Sequence, residues 1–237
     1  MVAPLPTHVP PAAVVPPPRR PYAAAFRALI CAAVIVGVVI DLCLVSPGRL
    51  LSYFTVQSNI LLGLACAFSA YRAWTARRPL PPWVTGGALL FICITGLVYH
   101  VVLAGDPAVE APTGWSAAAN ILLHSVTPLA ALADWLLLTP PGGLRPRHAG
   151  LWLLYPLAYF AFVLIRGALL TPGTVARYPY PFLDVDLHGY AGVLGNAVIY
   201  GLVFYALALV IVGLDRIRPY LHGSENRISS TATGPLK

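Results

Sequence analysis

The sequence predicts an all-α, polytopic integral membrane protein with six transmembrane helices and both termini cytoplasmic. Three observations carry this. The chain of 237 residues is 58% hydrophobic and only 10% charged, where a soluble domain carries roughly 25% charged residues. Its mean hydropathy is +0.76. Its charges fall mostly between six apolar runs, and the basic ones are shared unequally between alternate loops.

Taken in order, residues 1–22 are Pro-rich and contain Pro16-Pro17-Pro18-Arg19-Arg20. With no amphipathic pattern they read as a disordered cytoplasmic tail. The basic pair comes late and no cleavage pattern follows the next apolar run, so they do not read as a signal peptide. The apolar segments are expected at about 24–45, 52–71, 83–104, 116–138, 150–169 and 189–213. Each is long enough to cross a hydrocarbon core of about 30 Å, and none alternates with the period of a barrel strand. Together they form a membrane domain over residues 23–215, followed by a second disordered cytoplasmic tail, 216–237. Pro128 and Pro156 interrupt the fourth and fifth segments, and membrane helices tolerate such prolines as kinks.

Arg19, Arg20, Arg27, Arg72, Arg77, Arg78, Arg145, Arg147, Arg216, Arg218, Arg227 and Lys237 fall on one side of this topology. Arg49, Arg166 and Arg177 remain for the other, which is therefore expected to be outside. The basic residues form no dense patch with interleaved aromatics, so nucleic acid is not an expected partner. The four cysteines form no CxxC pair, and neither a disulfide framework nor a metal site is expected. No cofactor is called for. The expected surroundings are the bilayer of a cell membrane, with a lipid or other amphiphilic small molecule as partner.

Polar residues within the segments are costly enough to need a reason. The second segment opens Tyr53-Phe54-Thr55-Val56-Gln57-Ser58-Asn59. Thr55, Ser58 and Asn59 stand at i, i+3 and i+4 and share one helix face. The fourth segment carries Asn120, His124 and Pro128 at intervals of four, with Ser125 and Thr127 between. The third ends at Tyr99-His100, the fifth carries Arg166 near its end, and the sixth begins at His188 and carries Asn196 further in. All gather in the outer half. Singly, such residues usually bond their own helix or a neighbour. Together they predict a polar pocket with apolar walls. The loop over residues 170–188, with Tyr178-Pro179-Tyr180-Pro181-Phe182, reads either as an aromatic belt or as a lid.

His124 can accept and donate protons near neutral pH, and Thr55 offers a hydroxyl for such a base to activate. Asn59, Asn120, Gln57 or Arg166 can bind an oxyanion or a substrate carboxylate. His100, His188 and Asn196 complete the expected substrate-binding set. Asp41 and Asp134 are alternative partners for His124. The preferred role of Asp134 is an ion pair with Arg145, Arg78 or Arg72. There is no GxSxG or HExxH motif. A haem bundle using His100, His124 and His188 is disfavoured, because no helix offers two histidines on one face. A transporter is disfavoured by the absence of an internal repeat.

The stretch Tyr53–Asn59, the run His124-Ser125-Val126-Thr127-Pro128 with Asp134-Trp135, and the series from Tyr155-Pro156 through Arg166-Gly167 to Tyr178–Phe182 resemble the bacterial Pr6Pr membrane proteins. More distantly they resemble the androgen-induced and androgen-dependent TFPI-regulating proteins of animals. The resemblance spans about residues 24–215. It implies a location in a bacterial plasma membrane. Through the animal members it also implies an intramembrane hydrolase of fatty acid esters of hydroxy fatty acids, with Thr55 as nucleophile and His124 as its base. The residues after Thr55 (Gln57-Ser58-Asn59) and after His124 (Ser125-Val126-Thr127-Pro128) depart from the animal pattern.

Overall fold

The computed structural model describes residues 18–107, 109 and 111–219. Among the described residues, six helices are long and apolar enough to cross a membrane: α1 (Pro21–Leu44), α2 (Phe54–Trp74), α3 (Pro82–Leu103), α4 (Gly114–Leu138), α5 (Pro146–Leu169) and α6 (Val185–Ile217). The chain is an all-α, multi-pass membrane protein. The terminal segments 1–17 and 220–237 lie outside the described residues, so the tails expected there are largely outside them too. The N-terminal tail boundary moves slightly, because Pro21 starts α1 as a first-turn proline.

Small residues set the helix spacing, as expected where lipid offers no hydrophobic drive to packing. A side-chain carbon on Gly63 of α2 would come 3.1 Å from Val34 of α1, and one on Gly37 of α1 would come 2.7 Å from Leu123 of α4. Gly86 of α3 admits the indole of Trp152 from α5 just as closely, at 2.6 Å. α3 runs through the middle, with Leu90 and Ile92 buried. α6 lies at the periphery, with Leu194, Val198 and Leu202 exposed on its outer face.

Proline and glycine account for the irregularities in α5 and α6. Pro156 has no N–H for the Trp152 carbonyl, and α5 breaks at Leu153. This break lets α5 begin at Pro146, four residues before the apolar run expected from sequence. α6 is longer than the 189–213 expected. It begins at Val185 and contains one non-helical residue, Gly189, at φ 64°. α3 ends in a π-helical turn (Tyr99–Leu103), and α4 contains two more (Leu122–Val126 and Asp134–Leu138).

One end of the bundle is held by charges. Arg27 of α1 pairs with Asp134 of α4 at 2.9 Å, and also donates to the Thr139 hydroxyl at 3.2 Å. This corrects the expectation that Asp134 pairs with Arg145, Arg78 or Arg72. Arg27 lies two turns into α1, and its side chain meets the end of α4 because α1 and α4 pack directly. Asp215 of α6 accepts from the Leu144 N–H at 2.9 Å and pairs with Arg218 at 2.9 Å. Arg218 in turn lies over the Trp135 ring, 4.5 Å from its centre. The start of α1 reaches the same end, where the Arg20 N–H donates to the Ala73 carbonyl at the end of α2. The opposite end carries the loops before α2, between α3 and α4, and between α5 and α6.

Candidate functional site

The site forms where α2 starts. Tyr53 takes the N-cap position with extended backbone, so the first N–H groups of α2 have no carbonyl one turn back to bond. The Thr55 N–H donates instead to the Tyr180 phenol oxygen at 3.2 Å. Thr55 Oγ1 stands 3.1 Å from His124 Nε2 and 3.3 Å from Tyr180 Oη. The first distance falls in the range of about 2.6–3.2 Å expected for a nucleophile and its base.

The direction of these bonds follows from the far side of the ring. His124 Nδ1 lies 3.1 Å from the Asn120 carbonyl, which can only accept. In the neutral ring Nδ1 therefore carries the proton and Nε2 is the acceptor. The Thr55 hydroxyl then gives its proton to Nε2, and its oxygen is open to receive one from Tyr180. The result is a directed chain: Tyr180 O–H to Thr55, Thr55 O–H to His124, His124 N–H to a carbonyl. Both ring nitrogens are thus engaged, and neither Asp41 nor Asp134 partners His124.

His124 sits at the centre of the π-helical turn Leu122–Val126, a distortion found mostly at functional sites. Pro128, one turn later, leaves the His124 carbonyl without its helical donor. Gly96 of α3 packs against that carbonyl and the proline ring, its side-chain position only 3.1–3.3 Å from them. The Tyr99 ring lies over the imidazole, with centres 4.3 Å apart, and is held there by the Asn120 amide, which donates to its hydroxyl at 2.5 Å.

Asn59 is fully buried and bonded through both ends of its amide. Its nitrogen donates to the Thr55 carbonyl at 2.9 Å and the Leu123 carbonyl at 3.0 Å. Its oxygen accepts from Thr127 at 2.6 Å. It is the crosspiece between α2 and α4 that fixes Thr55 against His124. Ser58 adds a second link, to Thr95 of α3 at 2.7 Å. His100 continues the polar band at its exposed edge, 3.0 Å from Ser125.

The structure thus brings together Thr55, His124, Asn59 and Asn120, with His100 beside them. It does not bring Arg166, Asn196 and His188 to the hydroxyl. Arg166 donates to the Ala176 and Arg177 carbonyls at 2.8 and 2.7 Å, and Asn196 donates to the Phe182 carbonyl at 2.9 Å. Both are tied to the backbone of the α5–α6 loop. His188 is exposed at the start of α6. Gln57 is likewise occupied, between the Leu51 carbonyl and the Tyr155 hydroxyl. Tyr180 was not among the expected site residues. Its only sequence signal is its place in an aromatic, proline-stiffened loop.

Thr55 opens onto a cavity of about 510 Å³ between α3, α5 and α6, within the usual range for a small-molecule site of about 300–1,000 Å³. Thr95 and Tyr180 line it beside Thr55, and its remaining walls are mostly apolar, with no charged side chain among the described residues that line it. Leu154 and Leu157 of α5 and Val198 and Leu202 of α6 line it and are also exposed on the outer face of the bundle. The cavity therefore opens sideways between α5 and α6, toward lipid. His124 stands behind Thr55, away from the cavity wall.

Comparison with protein-family models, curated proteins and solved structures finds no match to this chain.

Proposed function

We propose that this protein is an intramembrane, threonine-dependent hydrolase of lipid esters, with Thr55 as nucleophile and His124 as general base. The observation that carries the reading is the 3.1 Å contact between Thr55 Oγ1 and His124 Nε2 at the wall of an uncharged cavity open to lipid. An acyl chain enters between α5 and α6 and lies in the cavity with its ester carbonyl at Thr55. His124 Nε2 takes the hydroxyl proton as Oγ1 bonds the carbonyl carbon, then returns it to the departing alkoxide. Water, activated by the same nitrogen, releases the acyl group from Thr55.

The resemblance to the Pr6Pr proteins and their animal relatives supports the same dyad. It points to fatty acid esters of hydroxy fatty acids as the substrate. With no cation among the described residues of the cavity wall, the free carboxylate of such a substrate stays at the mouth and only the acyl arm enters. The same cavity also favours a second reading, a non-catalytic lipid-binding or transport protein, in which the apolar slot holds a ligand and the dyad is inert.

Purified protein incubated with a fluorophosphonate probe and a panel of lipid esters separates the two. Thr55→Ala is expected to abolish labelling and turnover, and His124→Ala to lower turnover about 10²–10⁴-fold. Equal labelling and turnover in wild type and both variants sinks the catalytic reading.

A further inference from the structure

The loop between α5 and α6 is bound to the bundle along its length. Besides the Arg166 and Asn196 bonds, Arg177 donates to the Gly167 carbonyl at 2.7 Å and to both carboxylate oxygens of Asp186 at 2.8 Å. Tyr178 lies so close to Gly167 that a side-chain carbon there would fall 2.1 Å from its ring. Two residues on, Tyr180 stacks on Phe182 (5.3 Å, 4°) and meets Tyr53 edge-on (5.8 Å, 83°). These contacts bury Tyr180 and place its hydroxyl on Thr55, at the wall of the cavity.

We propose that Tyr180 is a third catalytic residue, the donor that stabilises the oxyanion formed on the ester carbonyl. The inference rests on the reading of Thr55 as nucleophile. In the resting site the Tyr180 oxygen accepts the Thr55 N–H, which fixes its position and leaves its own proton directed at Thr55 Oγ1. When Oγ1 bonds the carbonyl carbon, its proton passes to His124 Nε2 and the carbonyl electron pair moves onto oxygen. The Tyr180 O–H turns from Oγ1, whose electron pair is now shared with carbon, to that oxygen. Collapse re-forms the carbonyl, breaks the carbon–oxygen bond to the alcohol, and sends the His124 proton to the leaving oxygen. Water repeats the sequence and frees the acid and Thr55. Burial pushes the Tyr180 phenol up from its ordinary pKa, so the donor keeps its proton at neutral pH. No main-chain pair or lysine is needed for this role. The donor comes from a loop outside the spanning helices, so the site is complete only while the loop is docked.

Tyr180→Phe keeps the ring and its stacking and removes the hydroxyl. Compared with wild type, Thr55→Ala and His124→Ala on the same lipid ester, it is expected to lower kcat about 10²–10³-fold with KM little changed. Replacement of Tyr180 by 3-fluorotyrosine, a more acidic phenol of nearly the same shape that still donates, is expected to keep kcat within a few fold of wild type. Wild-type kcat in Tyr180→Phe, or a fluorotyrosine protein as slow as Tyr180→Phe, overturns the role of Tyr180. Hydrolysis that still requires Thr55 and His124 in that case leaves the dyad standing. Wild-type turnover in Thr55→Ala overturns the dyad itself, and this inference with it.

Discussion

At the residue scale, Asn59 is the most consequential side chain that does no chemistry. Asn59→Leu removes three buried hydrogen bonds, leaving the Thr127 hydroxyl only the Leu123 carbonyl at 3.3 Å and the Thr55 carbonyl only Ser58. The expected cost is about 1–3 kcal/mol, read as a lower unfolding midpoint in detergent, with slower probe labelling of Thr55 because α2 and α4 lose their register. Asn59→Asp keeps the acceptor for Thr127 but not the donors, so it should not restore labelling. The positions of Thr55, Asn59, Asn120 and His124 were legible in the sequence, because the spacing of three and four places each set on one helix face. Tyr180 was not legible. Its contact with Thr55 joins residues 125 positions apart, and no periodicity runs through a loop. In the sequence Arg166 and Asn196 point to the pocket because they share its depth. Loop carbonyls at the same depth also need donors, and these two side chains meet that need.

At the element scale, the α5–α6 loop combines the two readings open at the sequence level, since it is both aromatic and seated over the site. Its seat depends on Gly167. Gly167→Ala is expected to displace Tyr178, and Tyr180 with it, because neither the helix nor the packed ring can absorb an approach of 2.1 Å. Limited proteolysis should then cut the loop faster than in wild type, and hydrolysis should fall even though Thr55, His124 and Tyr180 are all retained. Unchanged proteolysis and turnover would show that the loop is not held there. All six helices could be read from apolar length, with ends moved by a few residues. The larger differences are local. Pro156 breaks α5 rather than ending it, and Gly189 lets α6 start early with one non-helical residue. The π-helical turn around His124 left no trace in the apolar pattern, because one widened turn barely changes which residues face lipid.

At the scale of the whole molecule, the two ends of the bundle have different tasks. One end holds Thr55 and His124, the cavity mouth and the docked loop. The other is held by Arg27–Asp134 and Asp215–Arg218. Arg27→Ala leaves Asp134 without its cation and is expected to destabilise the fold by about 3–5 kcal/mol. Arg27→Met with Asp134→Leu should recover most of that loss, since a buried pair is often replaceable by apolar side chains. Unfolding midpoints of the single and double variants check this, and the double variant should label at Thr55 like wild type. The sequence placed Asp134 near basic residues but chose the wrong one. Loop arginines are near it in the chain, whereas Arg27 is near it only once α1 packs on α4.

The central claim is that Thr55 carries the acyl group. The most direct measurement is the mass of the protein quenched during turnover of a lipid ester, followed by mapping of the modified peptide. The account predicts a gain of one acyl group on the peptide containing Thr55, absent from Thr55→Ala and strongly reduced in His124→Ala. Undiminished hydrolysis by Thr55→Ala, or an acyl group mapped to another residue, would contradict it.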